Sequence, residues 1–285
     1  MILEFISVFP ITSLVFFSLF SLAVGSLLNV IIYRLPLMLL SDWTNECQQL
    51  LTLPEKKQST VNLFFPRSFC PSCKSTIPFW HNIPLVSYCL LSGRCHQCKT
   101  PISWRYPSIE ALCLFLSLLA VWQIGLGITL LFVLIFIYII ICLFFIDIDH
   151  QLLPDNLTLS LLWLGLIANS QELFTTLPDA VFSAAGAYIS LWLFIKLFYL
   201  LTGKIGMGNG DFKLFAAFGA WFGFAQLPLI LLLSSTTGAI VGILYLKRTH
   251  QTKNTPIPFG PFLCVAGLVS LFYGKAILSW YLQFY

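Results

Sequence analysis

Long apolar runs separated by short polar segments dominate the chain. A helix needs about 20 apolar residues to cross a bilayer core, fewer where neighbours help. On that criterion the runs predict eight spans, at residues 9–32, 108–124, 127–146, 156–169, 179–201, 212–225, 228–246 and 260–282. The fourth and sixth are the shortest. Glu4 stands where a signal peptide would carry a basic segment, and no small-residue cleavage site follows, so the first run is expected to remain as a helix. One polar stretch, 34–107, is large enough to fold separately. The expected organisation is a first transmembrane helix (1–33), a small domain (34–107) and a transmembrane core (108–285).

Composition agrees with that solvent. The chain is 58% hydrophobic and 9% charged, with mean hydropathy +0.90, whereas soluble domains carry about 25% charged residues. An all-α polytopic membrane protein is the expected fold class. The net charge of +4 lacks the basic and aromatic interleaving that nucleic-acid binding requires, so membrane lipid is an expected partner and nucleic acid is not. Lys and Arg then orient the chain, because cytoplasmic flanks are enriched in them. Arg34, Lys56, Lys57, Arg67, Lys74, Arg94, Lys99 and Arg105 put the first loop inside and the N-terminus outside. With eight spans, Lys196, Lys204, Lys213, Lys247, Arg248 and Lys253 fall on the same side, which leaves Lys275 as the exception.

Within the loop, Cys70-Pro71-Ser72-Cys73 and Cys95-His96-Gln97-Cys98 form two C-x2-C knuckles. Four thiolates at this spacing can close a tetrahedral zinc site, and a loop of about 70 residues has too little core without such a staple. A cytoplasmic placement disfavours disulfides. Four ligands also fill the coordination sphere, so the metal is expected to be structural. His81, His96 and Cys89 are spare candidates; Cys47 lacks a partner at ligand spacing; Cys113, Cys142 and Cys264 lie in spans as small apolar residues.

Few acidic residues follow position 140: Asp147, Asp149, Asp155, Glu172, Asp179 and Asp211. A carboxylate against hydrocarbon costs about 2.5–3.5 kcal/mol on insertion scales, which makes each one a candidate for function. Asp155 and Asp179 precede spans and read as helix N-caps. Asp211 could cap too, but Gly206-Met207-Gly208-Asn209-Gly210 precedes it, and three glycines so close together permit unusual backbone or close approach. Asp147 ends the third span, where the helix dipole disfavours a carboxylate. Asp149, two positions on, faces another way. If Asp147 and Asp211 converge, two carboxylates sharing a proton can activate water and protonate a leaving amine. No Ser-His pairing or HExxH supports serine or zinc-dependent proteolysis, and His150 is a lone histidine at a loop start.

An ordered set of motifs resembles the bifunctional type IV prepilin peptidases over nearly the whole chain. It comprises Gly25-Ser26-Leu27-Leu28-Asn29-Val30-Ile31-Ile32-Tyr33-Arg34-Leu35-Pro36, the two cysteine knuckles, Asn82-Ile83-Pro84-Leu85, Gly93-Arg94-Cys95 and Arg105-Tyr106-Pro107 with Glu110. Ile146-Asp147-Ile148-Asp149-His150-Gln151-Leu152-Leu153-Pro154-Asp155, Gly208-Asn209-Gly210-Asp211 and Pro256-Ile257-Pro258-Phe259-Gly260-Pro261 complete it. The resemblance implies a GxGD aspartic peptidase of the bacterial inner membrane, acting on prepilins and type II secretion pseudopilins. Such enzymes remove a short basic leader after glycine and methylate the new N-terminus with S-adenosylmethionine. It implies Asp147 and Asp211 as the catalytic pair, Gly208, Gly210 and Asp149 in support, and Cys70, Cys73, Cys95 and Cys98 as metal ligands. Asn209 stands where many members carry tyrosine. The donor site stays unknown, because no glycine-rich Rossmann fingerprint is present; the loop and its membrane face, including Glu110, are the suspected region. Two non-peptidase readings remain open: a transporter relaying protons through its carboxylates, and a secretion-assembly protein that docks through its zinc loop.

Overall fold

A computed structural model describes residues 10–53, 62–70, 72–78, 80, 83–203, 206–249 and 258–283. Glu4, Lys56, Lys57, Pro71, His81, Asn82, Lys204, Lys253, Pro256 and Ile257 lie outside the described residues. Among those described the chain is helical, with two isolated β-bridges and no strand. It divides into two compact units, Met1–Leu126 and Gly127–Tyr285.

The first unit holds α1 (Pro10–Leu50), the short α2 (Val86–Leu90) and α3 (Arg105–Ile124). Helix α1 continues through Pro36, well past the expected limit at 32. Hydropathy marks where the apolar run ends, and no glycine interrupts the helix beyond it. Helices α1 and α3 meet along Ser21, Gly25 and Asn29, one turn apart on one face. Lipid gives helices no hydrophobic reason to associate, so small residues that allow close approach drive the contact. A Cβ added at Gly25 would come within 2.9 Å of Glu110 Cα. Asn29 Nδ2 donates to the Tyr106 carbonyl at 3.2 Å, and the Cys113 thiol to that of Ser21 at 3.3 Å. Arg34, assigned above to the loop, lies on α1 and is buried. Its guanidinium donates to the carbonyls of Asn62, Leu63 and Pro66 at 2.9, 3.2 and 2.6 Å, which ties the loop to the helix.

The second unit contains α4 (Ile128–His150), α5 (Asp155–Asn169), α6 (Leu177–Thr202), α7 (Asn209–Phe222), a 3-10 turn (Phe224–Gln226), α8 (Leu227–Thr249) and α9 (Gly260–Leu282). Helix α7 lies among α5, α6 and α9. Almost every residue from Asp211 to Phe222 is buried, as expected of a helix apolar all round. Phe136 meets Trp221 edge-on at 4.8 Å in this core. Buried Asn169, to which the sequence pattern assigns no role, closes the C-terminal end of α7. Its amide donates to the carbonyls of Ala220 and Trp221 at 2.7 and 3.1 Å, while its oxygen accepts from the amides of Phe174 and Thr175.

Six helices among the described residues are long and apolar enough to cross a membrane. The expected fourth and sixth spans exist as α5 and α7 but fall short: at 15 and 14 residues they reach about 21–22 Å at 1.5 Å per residue, against a core of about 30 Å. Position along the chain was right for all eight, and these two are as short as the apolar runs predicted.

Candidate functional site

Asp147 occupies the last turn of α4 and is buried, while its neighbours Asp149 and His150 are exposed. Gln151 ends the helix in the left-handed region (φ 51) and donates its amide to the Asp147 carbonyl at 2.9 Å. Asp211 is the third residue of α7, also buried. Its Oδ2 accepts the Gly208 amide at 3.2 Å, the half of a capping box that an N-cap glycine allows. Its Oδ1 is buried and has no hydrogen-bond partner. The Asp147 and Asp211 carboxylates lie close enough for their charges to interact, although two whole helices, α5 and α6, separate them along the chain.

Leu153 fills the space between the segments that carry these groups. A Cβ added at Gly210 would lie 2.7 Å from Leu153 Cβ, and one at Gly260 3.2 Å from Leu153 Cδ1. The described glycines of the Gly206–Gly210 stretch have no positive φ. Close approach, and not unusual backbone, is therefore what Gly210 provides, and the chain it admits is the protein's own. Gly260 also meets Asp147 directly through an amide-to-carboxylate hydrogen bond. In the sequence that glycine is one member of a motif with no role of its own.

Neither expected N-cap is one. Asp155 is the first residue of α5, after Pro154, and pairs with Lys213 of α7 at 2.6 Å. Asp179 sits in the first turn of α6, where Thr176 is the N-cap. It accepts from Thr175 Oγ1 at 2.7 Å and from the Phe224 amide at 3.4 Å. In both cases a partner distant in sequence or a neighbouring hydroxyl takes the carboxylate.

The four knuckle cysteines do converge: their sulfurs all lie within 4.8 Å of one another. The two halves repeat one local design. Cys70 N and Cys95 N donate to the carbonyls of Ser75 and Thr100, both at 2.9 Å, and Lys74 N and Lys99 N return to Cys70 and Cys95 at 2.8 and 3.0 Å. The two lysines turn the chain with φ 56 and 59. The bridges Phe69–Thr76 and Arg94–Pro101 close the halves. This repeat, Cys-x2-Cys-Lys-Ser/Thr-x-Ile, is a signal in the sequence that the knuckle spacing alone does not use. Tetrahedral zinc with Zn–S near 2.3 Å needs sulfurs about 3.8 Å apart, and Cys70 and Cys98 stand 3.7 Å apart. Hydrogen bonds from Ser75 lower the Cys73 thiol pKa, and those from Thr100 lower that of Cys98 to about 6, so both favour the metal-binding thiolate. Cys89 and His96 are exposed, and Cys47 is an exposed residue of α1 and not of the loop.

Beside the second knuckle lies a cavity of about 550 Å³, lined in part by Tyr88, Arg94, Ile102 and Trp104. Pockets of roughly 300–1,000 Å³ suit small ligands. Glu110, a suspected donor-site residue, is not among its lining residues: the carboxylate is buried and accepts the Leu85 amide at 2.9 Å, holding the start of α2.

Comparison with known proteins divides the chain much as the contacts do. The Bacterial Peptidase A24 N-terminal domain family matches residues 19–124, and the Type IV leader peptidase family matches residues 134–243. A prepilin leader peptidase/N-methyltransferase of Legionella pneumophila is 58% identical over 94% of this chain and 93% of its own length. Proteins of the same description from Pseudomonas aeruginosa and Stutzerimonas stutzeri are 47% and 46% identical, each over 99% of this chain and 98% of the relative. No solved structure matches.

Proposed function

Because the chain belongs to the type IV leader peptidase family, we propose that it cleaves the basic leader from type IV prepilins and pseudopilins after glycine, with Asp147 and Asp211 as the catalytic pair, and methylates the new N-terminus. The observation that carries this reading is the unpartnered, buried Oδ1 of Asp211 beside the Asp147 carboxylate. A native protein rarely leaves such an atom unsatisfied without a use for it. Water attacks the scissile carbonyl as one carboxylate takes its proton, and the other carboxylate's proton goes to the carbonyl oxygen. Collapse of the adduct breaks the C–N bond, and the proton held by the first carboxylate passes to the leaving amine. Which aspartate begins protonated is a property of the coupled pair.

The enzyme sits in the inner membrane with its N-terminus periplasmic and its zinc loop cytoplasmic, which puts both aspartates at the cytoplasmic edge. A prepilin with its leader inside and its apolar helix in the bilayer then presents the scissile bond at that depth. Exposed Asp149 attracts leader cations, whereas Asp155 shares its charge with Lys213. Zinc, held by Cys70, Cys73, Cys95 and Cys98, supplies fold and no chemistry. S-adenosylmethionine supplies an electrophilic methyl group for the freed amine. The cavity beside the second knuckle would hold it, with Tyr88, Arg94 and Trp104 among the residues available to bind it.

Asp147→Asn and Asp211→Asn are the decisive experiment. Each is expected to abolish prepilin cleavage while the protein still inserts and still methylates a pre-cleaved pilin; retained cleavage in either would overturn the pair. A reporter fused after residue 174 is expected to behave as exported, and cytoplasmic behaviour would overturn the orientation.

A further inference from the structure

Helix α9 begins at Gly260, and its first turn meets Asp147. It packs on α4 and α7, the helices that carry the two aspartates, and the fully buried Cys264, one turn further on, feels both charges. Four amides at the start of a helix need partners from outside its own ladder. In α9 the amides of Phe262 and Leu263 donate to the Phe259 carbonyl at 3.0 and 3.2 Å. Pro261 has no amide proton. Among the first residues of this helix Gly260 N–H is left, and it donates to the Asp147 carboxylate.

Glycine is required there for a reason other than backbone freedom, since Gly260 is not in the positive-φ region. A Cβ at this position would fall on Asp147 Oδ2 and within 3.0 Å of Asp147 Cγ. The same contact resolves why a carboxylate ends α4. A helix C-terminus carries partial negative charge that disfavours Asp147, and the N-terminus of α9, set against it, carries the opposite sign.

We propose that Gly260 is a positioning residue for the peptidase reaction: its amide holds the Asp147 carboxylate toward Asp211, and its missing side chain makes room for that carboxylate. This rests on the catalytic reading of Asp147. Displacement of a reacting group by about 1 Å can cost about 100-fold in rate.

The test uses the full-length protein in lipid nanodiscs. Gly260→Ala is expected to lower kcat for prepilin cleavage about 100-fold, with KM for prepilin little changed and methylation of a pre-cleaved pilin retained. Adding Leu153→Ala separates the two contacts of the new methyl. If the double variant recovers cleavage, crowding of Leu153 caused the loss and the proposal fails. It also fails if Gly260→Ala cleaves like the wild type while Asp147→Asn is inactive. Cleavage by Asp147→Asn would instead overturn the catalytic reading itself. A glycine-selective amide NMR spectrum covers the case in which Gly260→Ala does not fold: Asp147→Asn is expected to move the Gly260 amide resonance, and an unmoved resonance would overturn the hydrogen bond.

Discussion

The thiolate cluster and the aspartate pair are built in opposite ways. All four sulfurs come from one short stretch, Cys70 to Cys98, and each half closes on itself through short-range backbone bonds. Asp147, Asp211 and Gly260 come from three helices, and they meet only once α4, α7 and α9 have packed. The first site is local geometry used twice; the second is tertiary packing used once. A metal can therefore compensate for a small core in the loop, whereas the aspartate site depends on helices that approach within ångströms of one another. The relevant tolerance differs accordingly: side-chain identity in the cluster, and side-chain volume around the aspartates.

The largest expected effect separates the two at once. Cys98→Ser is expected to reduce bound zinc from about one per chain to nearly none, as read by metal analysis of the purified protein, while Asp211→Asn leaves zinc in place and eliminates cleavage. Equal zinc in wild type and Cys98→Ser would remove the metal from the comparison. A smaller effect probes volume. Gly210→Ala sets a methyl 2.7 Å from Leu153 Cβ, and overpacking of this kind costs about 1–3 kcal/mol. Cleavage is expected to fall about tenfold, and Leu153→Gly in the same chain, which removes that Cβ, is expected to restore part of it, in contrast to the pairing of Leu153→Ala with Gly260→Ala. Least of all, Lys213→Ala breaks an ion pair whose side chains are 28% and 57% exposed. Exposed pairs contribute about 0–1 kcal/mol, so cleavage is expected to stay within about fivefold. A larger loss, measured at matched expression, would show that Lys213 steadies α7 near Asp211.

Much of the fold could be read from the chain because bilayer thickness imposes a length and the apolar runs display it. What hydropathy misjudged was an end. Helix α1 runs on to Leu50 because a helix needs no apolar side chains to continue, and the apolar residues of the short α7 are buried on nearly every side within the protein. Among the acidic residues, helical facing allows only one of Asp147 and Asp149 to point at Asp211, and nearness to the span and the family motif favour Asp147. Asp155 could not be separated from a cap, since its partner Lys213 lies two helices further along the chain.

By itself the sequence determined the solvent, the order of the helices and the four cysteines that cluster, because these depend on composition and on contacts between near neighbours. Only the tertiary structure decided that Asp147 and Asp211 come within range of each other's charge, that one oxygen of Asp211 stays unpartnered, and that the Gly260 amide reaches Asp147. The reason is geometric. A carboxylate's role depends on which groups surround it within a few ångströms, and for residues on helices as far apart in the chain as α4, α7 and α9 only packing sets that distance.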